Sequence, residues 1–370
     1  MIRRNHKAGQ GKHSHKNNQF CPICFVIPPH ILEEVAKNGT SDLQEWAFQT
    51  LSLSARIRGQ RDVLGKVVTA MMTVATGQKR RTIYDAKNDA DASDLPGTLV
   101  RGEGSPASTD IAVNEAYDGA GATYEFFRQI YDRNSIDDRG LRLDSTVHFG
   151  QQYDNAFWNG NQMVYGDGDG QIFQRFTKCI DVIGHELTHG ITQYEAGLRY
   201  QGESGALNES MSDVFGSLVK QWSLKQTADK ADWLIGQGLL TPSIKGVALR
   251  SMKAPGTAYN DPMLGKDPQP AHTRDMYKGS QDNGGVHINS GIPNYAFYLA
   301  ATAIGGNAWE KAGKIWYLAL RDRLRATSNF SRAAYHTIAI AGELYSNDSN
   351  EQRAVKEAWK RAGVEPRAMF

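Results

Sequence analysis

The stretch Asp181-Val182-Ile183-Gly184-His185-Glu186-Leu187-Thr188-His189 constrains this chain more than any other, because an apolar run ends in two histidines four residues apart. In a helix that spacing stacks both imidazoles on one face, one turn apart. Two ring nitrogens so placed can reach one Zn²⁺ at roughly 2.0–2.1 Å. Glu186, next to the first histidine, leans toward the same edge as a base rather than a ligand. Two histidines leave the site incomplete, so the fold must return a third ligand. Glu209 follows His189 by 20 residues on a second helical stretch, far enough for the chain to turn and pack back. Asp213 lies four residues after Glu209 on the same face and can accept the distal ring N–H of a ligating histidine, fixing its tautomer. Taken singly, Glu209 also reads as a solvated helix carboxylate and Asp213 as an i,i+4 charge with no partner.

The totals leave room for such a site and remove other classes. The 370 residues carry 42 basic and 40 acidic side chains, which gives no electrostatic case for nucleic acid or a membrane surface. No apolar run reaches membrane-spanning length; the longest, residues 67–75, is interrupted by Thr69 and Thr73. Three cysteines, Cys21, Cys24 and Cys179, argue against a disulfide framework and fit a reducing compartment. Residues 1–19 are basic and His-rich without an apolar core, so they read as a disordered tail rather than a secretory signal. The protein is accordingly expected in the cytoplasm or exported by a non-standard route.

Along the chain, Pro29 can open a helix through Ile31, Leu32, Val35 and Ala36 that stops at Gly39. Ser41-Asp42 can cap a second with Leu43, Trp46, Ala47 and Leu51 on one side. Two short helices bury no core of their own, so they must dock elsewhere, and a cleft is the expected place. Residues 67–75 and 81–84 read as strands, 85–110 as exposed loops, 114–134 as a buried helix, and 146–165 as β-rich. Gly166-Asp167-Gly168-Asp169-Gly170 lacks the downstream Glu and flanking helices of a calcium loop and reads as a hairpin turn. Beyond Lys178 helices dominate, expected at residues 206–220, 293–303, 308–324, 331–345 and 350–363. A β-rich first half before a helical second half is an α+β pattern with two lobes.

Four segments in this order strongly resemble the thermolysin-like metallopeptidases: Asn155-Ala156-Phe157-Trp158-Asn159-Gly160, His185 to His189, Gly205-Ala206-Leu207-Asn208-Glu209 with Ser212-Asp213, and Asp282-Asn283-Gly284-Gly285-Val286-His287-Ile288-Asn289-Ser290-Gly291. The similarity runs from about Thr82 to the C-terminus and includes Tyr84-Asp85-Ala86-Lys87. Ile27-Pro28-Pro29-His30 is similar to the protealysin subgroup, whose precursors carry brief inhibitory propeptides. The resemblance implies a two-lobed fold with the zinc helix between a β-rich and a helical lobe. The expected division is a tail over 1–19, a propeptide over 20–56, a β-rich lobe over 57–180 and a helical lobe over 181–370. It further implies a precursor of a zinc-dependent neutral endopeptidase, expected to be monomeric, that acts on proteins or peptides and removes its own propeptide somewhere between about residues 50 and 61.

Roles follow by the same resemblance. Tyr200 and His287 would donate to the oxyanion, with Asp282 orienting His287. Asn155 and the Ala156 carbonyl would hold the substrate backbone, and Arg250 the carbonyl after the cut. Phe173, Phe176, Val182, Ile235, Leu239 and Leu249 would line an apolar pocket, implying cleavage before Leu, Phe, Ile or Val. The family's paired calcium site keeps Asp181 and Asp232 but has Lys220, Leu234 and Gln237 in place of carboxylates, so that site is expected to be lost. Lys178-Cys179 replaces the family's usual glycine pair before the zinc helix.

Cys21-Pro22-Ile23-Cys24 allows three readings: a thiolate capping the open zinc position, ordinary thiols, or structural zinc with His13, His15 or His30. Steric inhibition by Phe25, Pro28, Pro29 and His30 is the preferred account of latency. A catalytically silent zinc- or peptide-binding protein of the same fold is the competing reading. Retention of Glu186, Tyr200 and His287 argues against it, since binding needs neither a base nor oxyanion donors.

Overall fold

The computed structural model describes residues 24–64 and 78–368. The basic tail, Cys21, His13, His15 and the strand expected at 67–75 lie outside the described residues. The first lobe is built on a six-stranded sheet of β1 (Cys24–Phe25), β2 (Arg81–Asp85), β3 (Thr98–Gly102), β4 (Leu143–Val147), β5 (Ala156–Trp158) and β6 (Met163–Tyr165), in the order β1-β5-β6-β4-β2-β3. β4 runs parallel to β2 and β6, and the remaining pairs are antiparallel.

Two helices precede the sheet's second strand. α1 (Pro29–Asn38) starts on Pro28-Pro29 because proline at the first turn costs no helical hydrogen bond, and it buries Ile31, Leu32 and Val35. α2 (Ser41–Leu64) is 24 residues long, so it runs unbroken across the residue 56/57 boundary expected for the propeptide. It docks on the first lobe through Ser54 Oγ to Tyr153 Oη at 3.0 Å and through buried Ile57. β3 lies in the segment expected to be loop. It is an edge strand with Leu99 and Val100 exposed, so no apolar alternation marks it.

α3 (Ile111–Tyr131) is capped by the Asp110 carboxylate, which accepts from the Ala112 and Val113 amides. α4 (Ile180–Tyr194) and α5 (Gly202–Leu224) follow at the junction of the lobes. The second lobe adds the short hairpin strands β7 (Leu234–Ile235), β8 (Arg250–Ser251), β9 (Asn260–Asp261) and β10 (Gly265–Lys266). Its helices are α6 (Gln281–Asn289), α7 (Gly291–Ile304), α8 (Ala312–Leu318), α9 (Phe330–Tyr345) and α10 (Asn350–Arg361). One apolar core crosses both lobes: Phe127 of α3 stands 5.5 Å from Phe215 of α5, and Tyr131 stacks on Tyr317 of α8 at 4.5 Å. α4 is buried from Asp181 through Thr192, which makes it the central helix of the molecule. No helix among the described residues is long and apolar enough to cross a membrane.

Candidate active site

α4 and α5 approach closely because two glycines face each other. A Cβ on Gly184 would stand 3.1 Å from Gly216 Cα, and one on Gly216 would press into the Asp181 carbonyl oxygen. That approach brings Glu209 across from the histidine pair. His185 Nε2 and His189 Nε2 lie 3.0 Å apart, with Glu209 carboxylate oxygens 3.5 and 3.4 Å from them. All three side chains are buried. His185 Nδ1 faces Asp213 Oδ1 at 2.8 Å, and His189 Nδ1 faces Asn208 Oδ1 at 2.8 Å. Donation from each Nδ1–H leaves both Nε2 atoms as lone pairs pointing at one another. Such a pair is repulsive without a cation between them, and two neutral imidazoles with one carboxylate are a Zn²⁺ donor set. Burial, ahead of any neighbouring charge, lowers His189 to about 4 and keeps that ring neutral.

Glu186 projects beside the pair. Its Oε2 accepts the Trp158 backbone N–H of β5 at 3.0 Å, while Oε1 is buried with no hydrogen-bond partner among the described residues. Burial first, and then the charge of Glu209, push this carboxyl well above the usual range.

Asp213 does more than orient His185. The Arg250 guanidinium of β8 grips it in a two-pronged pair, Nε to Oδ2 and Nη2 to Oδ1, both at 2.8 Å, and Asn294 Nδ2 of α7 donates to Oδ2 at 2.8 Å. Burial opposes the ionised form, but Arg250 and His185 outweigh it and hold Asp213 well below the usual carboxylate range.

His287 arrives by an unusual route. Asp282, Asn283, Gly284 and Gly285 in α6 all adopt left-handed backbone, with φ of 52, 50, 79 and 79°. Only Asp, Asn and Gly visit that region readily. The turn folds Asp282 back so that its carboxylate receives both the His287 amide at 2.8 Å and His287 Nδ1 at 2.6 Å. Burial opposes protonation of this ring, yet the Asp282 and Glu209 charges prevail and raise it to about 9. Tyr200 Oη donates to Glu209 Oε1 and lies 3.1 Å from His287 Nε2. The expected oxyanion donor thus bonds a carboxylate here, which is a stronger acceptor than a neutral carbonyl.

The residues expected to hold substrate backbone instead hold the chain's own N-terminal segment. β1 adds to the free edge of β5 in antiparallel register. The Val26 N–H donates to the Ala156 carbonyl at 3.1 Å, and the Ile27 N–H to Asn155 Oδ1 at 2.9 Å. Arg250 Nη1 donates to the Val26 carbonyl at 3.2 Å, and the Phe25 carbonyl lies 2.9 Å from His287 Nε2. Phe25 packs on Phe157 at 5.2 Å, and His30 Nε2 reaches Tyr259 Oη at 3.1 Å. Phe173, Phe176, Val182, Ile235, Leu239 and Leu249 are all buried in the same apolar cluster as Val26. Near the start of α4, the Lys220 ammonium sits 3.3 Å from Asp181 and 2.8 Å from Asp232, and donates to the Leu234 carbonyl at 3.2 Å.

Sequence reasoning did not assign a role in the site to the Trp158 N–H, Asn208, Asn294, Tyr259 or Ser212, whose Oγ lies 3.0 Å from His189 Nδ1. Ser212 lies three residues after Glu209 and four after Asn208, so helix phase relates them and could have found them. Asn294 and Tyr259 carry no local signal.

Comparison with known proteins shows the family to which this fold belongs. Residues 65–193 match the model of the thermolysin metallopeptidase catalytic domain, and residues 196–364 that of its alpha-helical domain. An extracellular metalloprotease of Pectobacterium carotovorum subsp. carotovorum is 52% identical over 94% of this chain and 99% of its own length. Protease PrtS of Photorhabdus sp. (strain Az29) is 48% identical over 92% of this chain and 91% of its own. The structure of the protealysin precursor, a metalloproteinase from Serratia proteamaculans, superposes with a TM-score of 0.84 at 53% identity, covering 92% of this chain and 99% of that one.

Proposed function

Because the chain belongs to the thermolysin-like metallopeptidases, in their protealysin-like branch, and is a zinc metalloendopeptidase, we propose that it cuts peptides on the N-terminal side of bulky hydrophobic residues with Glu186 as general base. The observation that carries this reading is Glu186 Oε1, buried beside two facing imidazoles and without a hydrogen-bond partner among the described residues. His185, His189 and Glu209 would hold a zinc ion, which would supply Lewis-acid chemistry at this point. Glu186 takes the proton of the attacking water and passes it to the leaving amine. His287, charged and oriented by Asp282, donates to the developing oxyanion, and Tyr200 turns from Glu209 to do the same. Asn155, the Ala156 carbonyl and Arg250 hold the backbone beyond the cut. The pocket from Phe173 to Leu249 takes the apolar side chain that follows it.

In the precursor the segment containing Phe25, Pro28, Pro29 and His30 fills this cleft as an inhibitor, and the enzyme activates itself by removing it. The same reading has the enzyme act as a monomer. Lys220 between Asp181 and Asp232 supplies the positive charge that paired calcium ions would bring, which supports loss of that site. Mapping the products that the mature chain releases from a peptide mixture tests the specificity. Cuts before Leu, Phe, Ile or Val should exceed those before charged residues by at least about tenfold, as burying one apolar side chain in a fitted pocket allows. Cuts clustered after basic residues, or spread without preference, would refute it.

A further inference from the structure

The N-terminal segment occupies the cleft in a way that bulk alone does not explain. Backbone on either side of the Phe25–Val26 bond meets four groups in order: His287 on the Phe25 carbonyl, Ala156 on the Val26 N–H, Arg250 on the Val26 carbonyl and Asn155 on the Ile27 N–H. The strand also runs antiparallel to β5, with Phe25 opposite Phe157. Under the reading above, these are the groups that hold a substrate across its scissile bond. Val26, on the leaving side, is a residue of the preferred kind. The segment is therefore bound as a substrate in productive direction, with a cleavable bond at the point of attack, yet a latent precursor has to keep that bond whole.

What stands at the point of attack is a thiol. Cys24 Sγ lies within 4.8 Å of the ligand atoms of both His189 and Glu209, and the residue is 2% exposed. It also shares an apolar pocket with Tyr200 and Val286. The site it enters contains the buried Glu209 Oε2 and Glu186 Oε1, neither with a hydrogen-bond partner among the described residues. Two imidazoles, a carboxylate and a sulfur form a closed four-coordinate set of the kind that structural zinc prefers. A fourth protein ligand leaves no place for water.

We propose that Cys24 is the fourth metal ligand of the precursor, and that this sulfur, by excluding water, protects a Phe25–Val26 bond already held in substrate register. The proposal rests on the zinc endopeptidase reading and adds its regulation. Without the sulfur, water would add its oxygen to the Phe25 carbonyl carbon and a proton to the Val26 nitrogen, splitting the chain there.

Cobalt(II) in place of zinc makes the ligand visible in full-length protein, with Glu186→Gln introduced to prevent cleavage. That precursor should bind one cobalt per chain and show a near-ultraviolet sulfur-to-cobalt charge-transfer band. Adding Cys24→Ser should abolish the band while the visible ligand-field bands and the one-to-one stoichiometry remain, which also shows that the variant is folded. In protein with Glu186 intact, Cys24→Ser should yield a new N-terminus at Val26 by mass spectrometry, absent from the parent. Cobalt bound without the charge-transfer band overturns the Cys24 ligand and leaves the zinc site standing. A band present with Phe25–Val26 still whole in Cys24→Ser overturns the protective role. No cobalt bound at all overturns the zinc reading itself.

Discussion

Replacing Glu186 by Gln is expected to lower peptide cleavage by about 10²–10⁴-fold, the usual worth of a positioned general base, with zinc content unchanged. The geometry separates the two effects. Glu186 Oε2 accepts the Trp158 N–H at 3.0 Å, and a glutamine oxygen can keep that bond. Oε1 has no hydrogen-bond partner among the described residues, so its replacement by an amide breaks no hydrogen bond with them. The three residues that can hold the metal are left intact. What is lost is the ability to accept a proton at that position. The same variant should accumulate as unprocessed precursor if propeptide removal is the enzyme's own work. Peptidase assays read beside elemental analysis check this, and unchanged cleavage at equal zinc would remove Glu186 from the mechanism.

Asp213→Asn is expected to have the largest effect on stability. The carboxylate serves His185, both prongs of Arg250 and Asn294, all at 2.8 Å. Removing its charge leaves Arg250 buried without its counter-ion, and breaking one partner of a buried pair costs about 3–5 kcal/mol. The same change loosens the orientation of His185, and losses of metal affinity at such positions run about 10–100-fold. The neutral amide also presents one acceptor oxygen where two were used. Denaturant unfolding of the apo protein isolates the first effect, and a zinc-buffer titration measures the second. A variant within about 1 kcal/mol of the parent, the ordinary effect of a point substitution, would show that Arg250 finds its counter-charge elsewhere.

The legible parts of the sequence were those with a period. His185 and His189 sit four apart on an apolar run, and Glu209 and Asp213 repeat the spacing, so helix geometry alone aligned them. Pro28-Pro29 and Gly39 bracketed α1 by the chemistry of helix ends. The illegible parts lacked such a signal. β1 is two residues long, too short for any alternation, and gains its hydrogen bonds from β5, far away in sequence. β3 is exposed and lies in an Asp-, Gly- and Ser-rich segment. The left-handed turn over residues 282–285 obeys no helical period, although its Asp-Asn-Gly-Gly composition is what such a backbone demands. Only the family resemblance tied Asp282 to His287. α2 continues past Leu51, the last apolar residue that marked it in the sequence, and there Ser54 and Ile57 find partners on the first lobe, a tertiary gain that local pattern does not contain.

The claim on which the rest depends is that one zinc at His185, His189 and Glu209 does the chemistry. Metal analysis of the mature chain, read beside its peptidase activity before and after stripping with a chelator, tests it most directly. The account predicts one zinc and no calcium per chain, activity lost with the zinc, and activity regained on return of one equivalent. Cleavage that continues undiminished in the stripped protein, or a mature chain that binds no zinc, would contradict it.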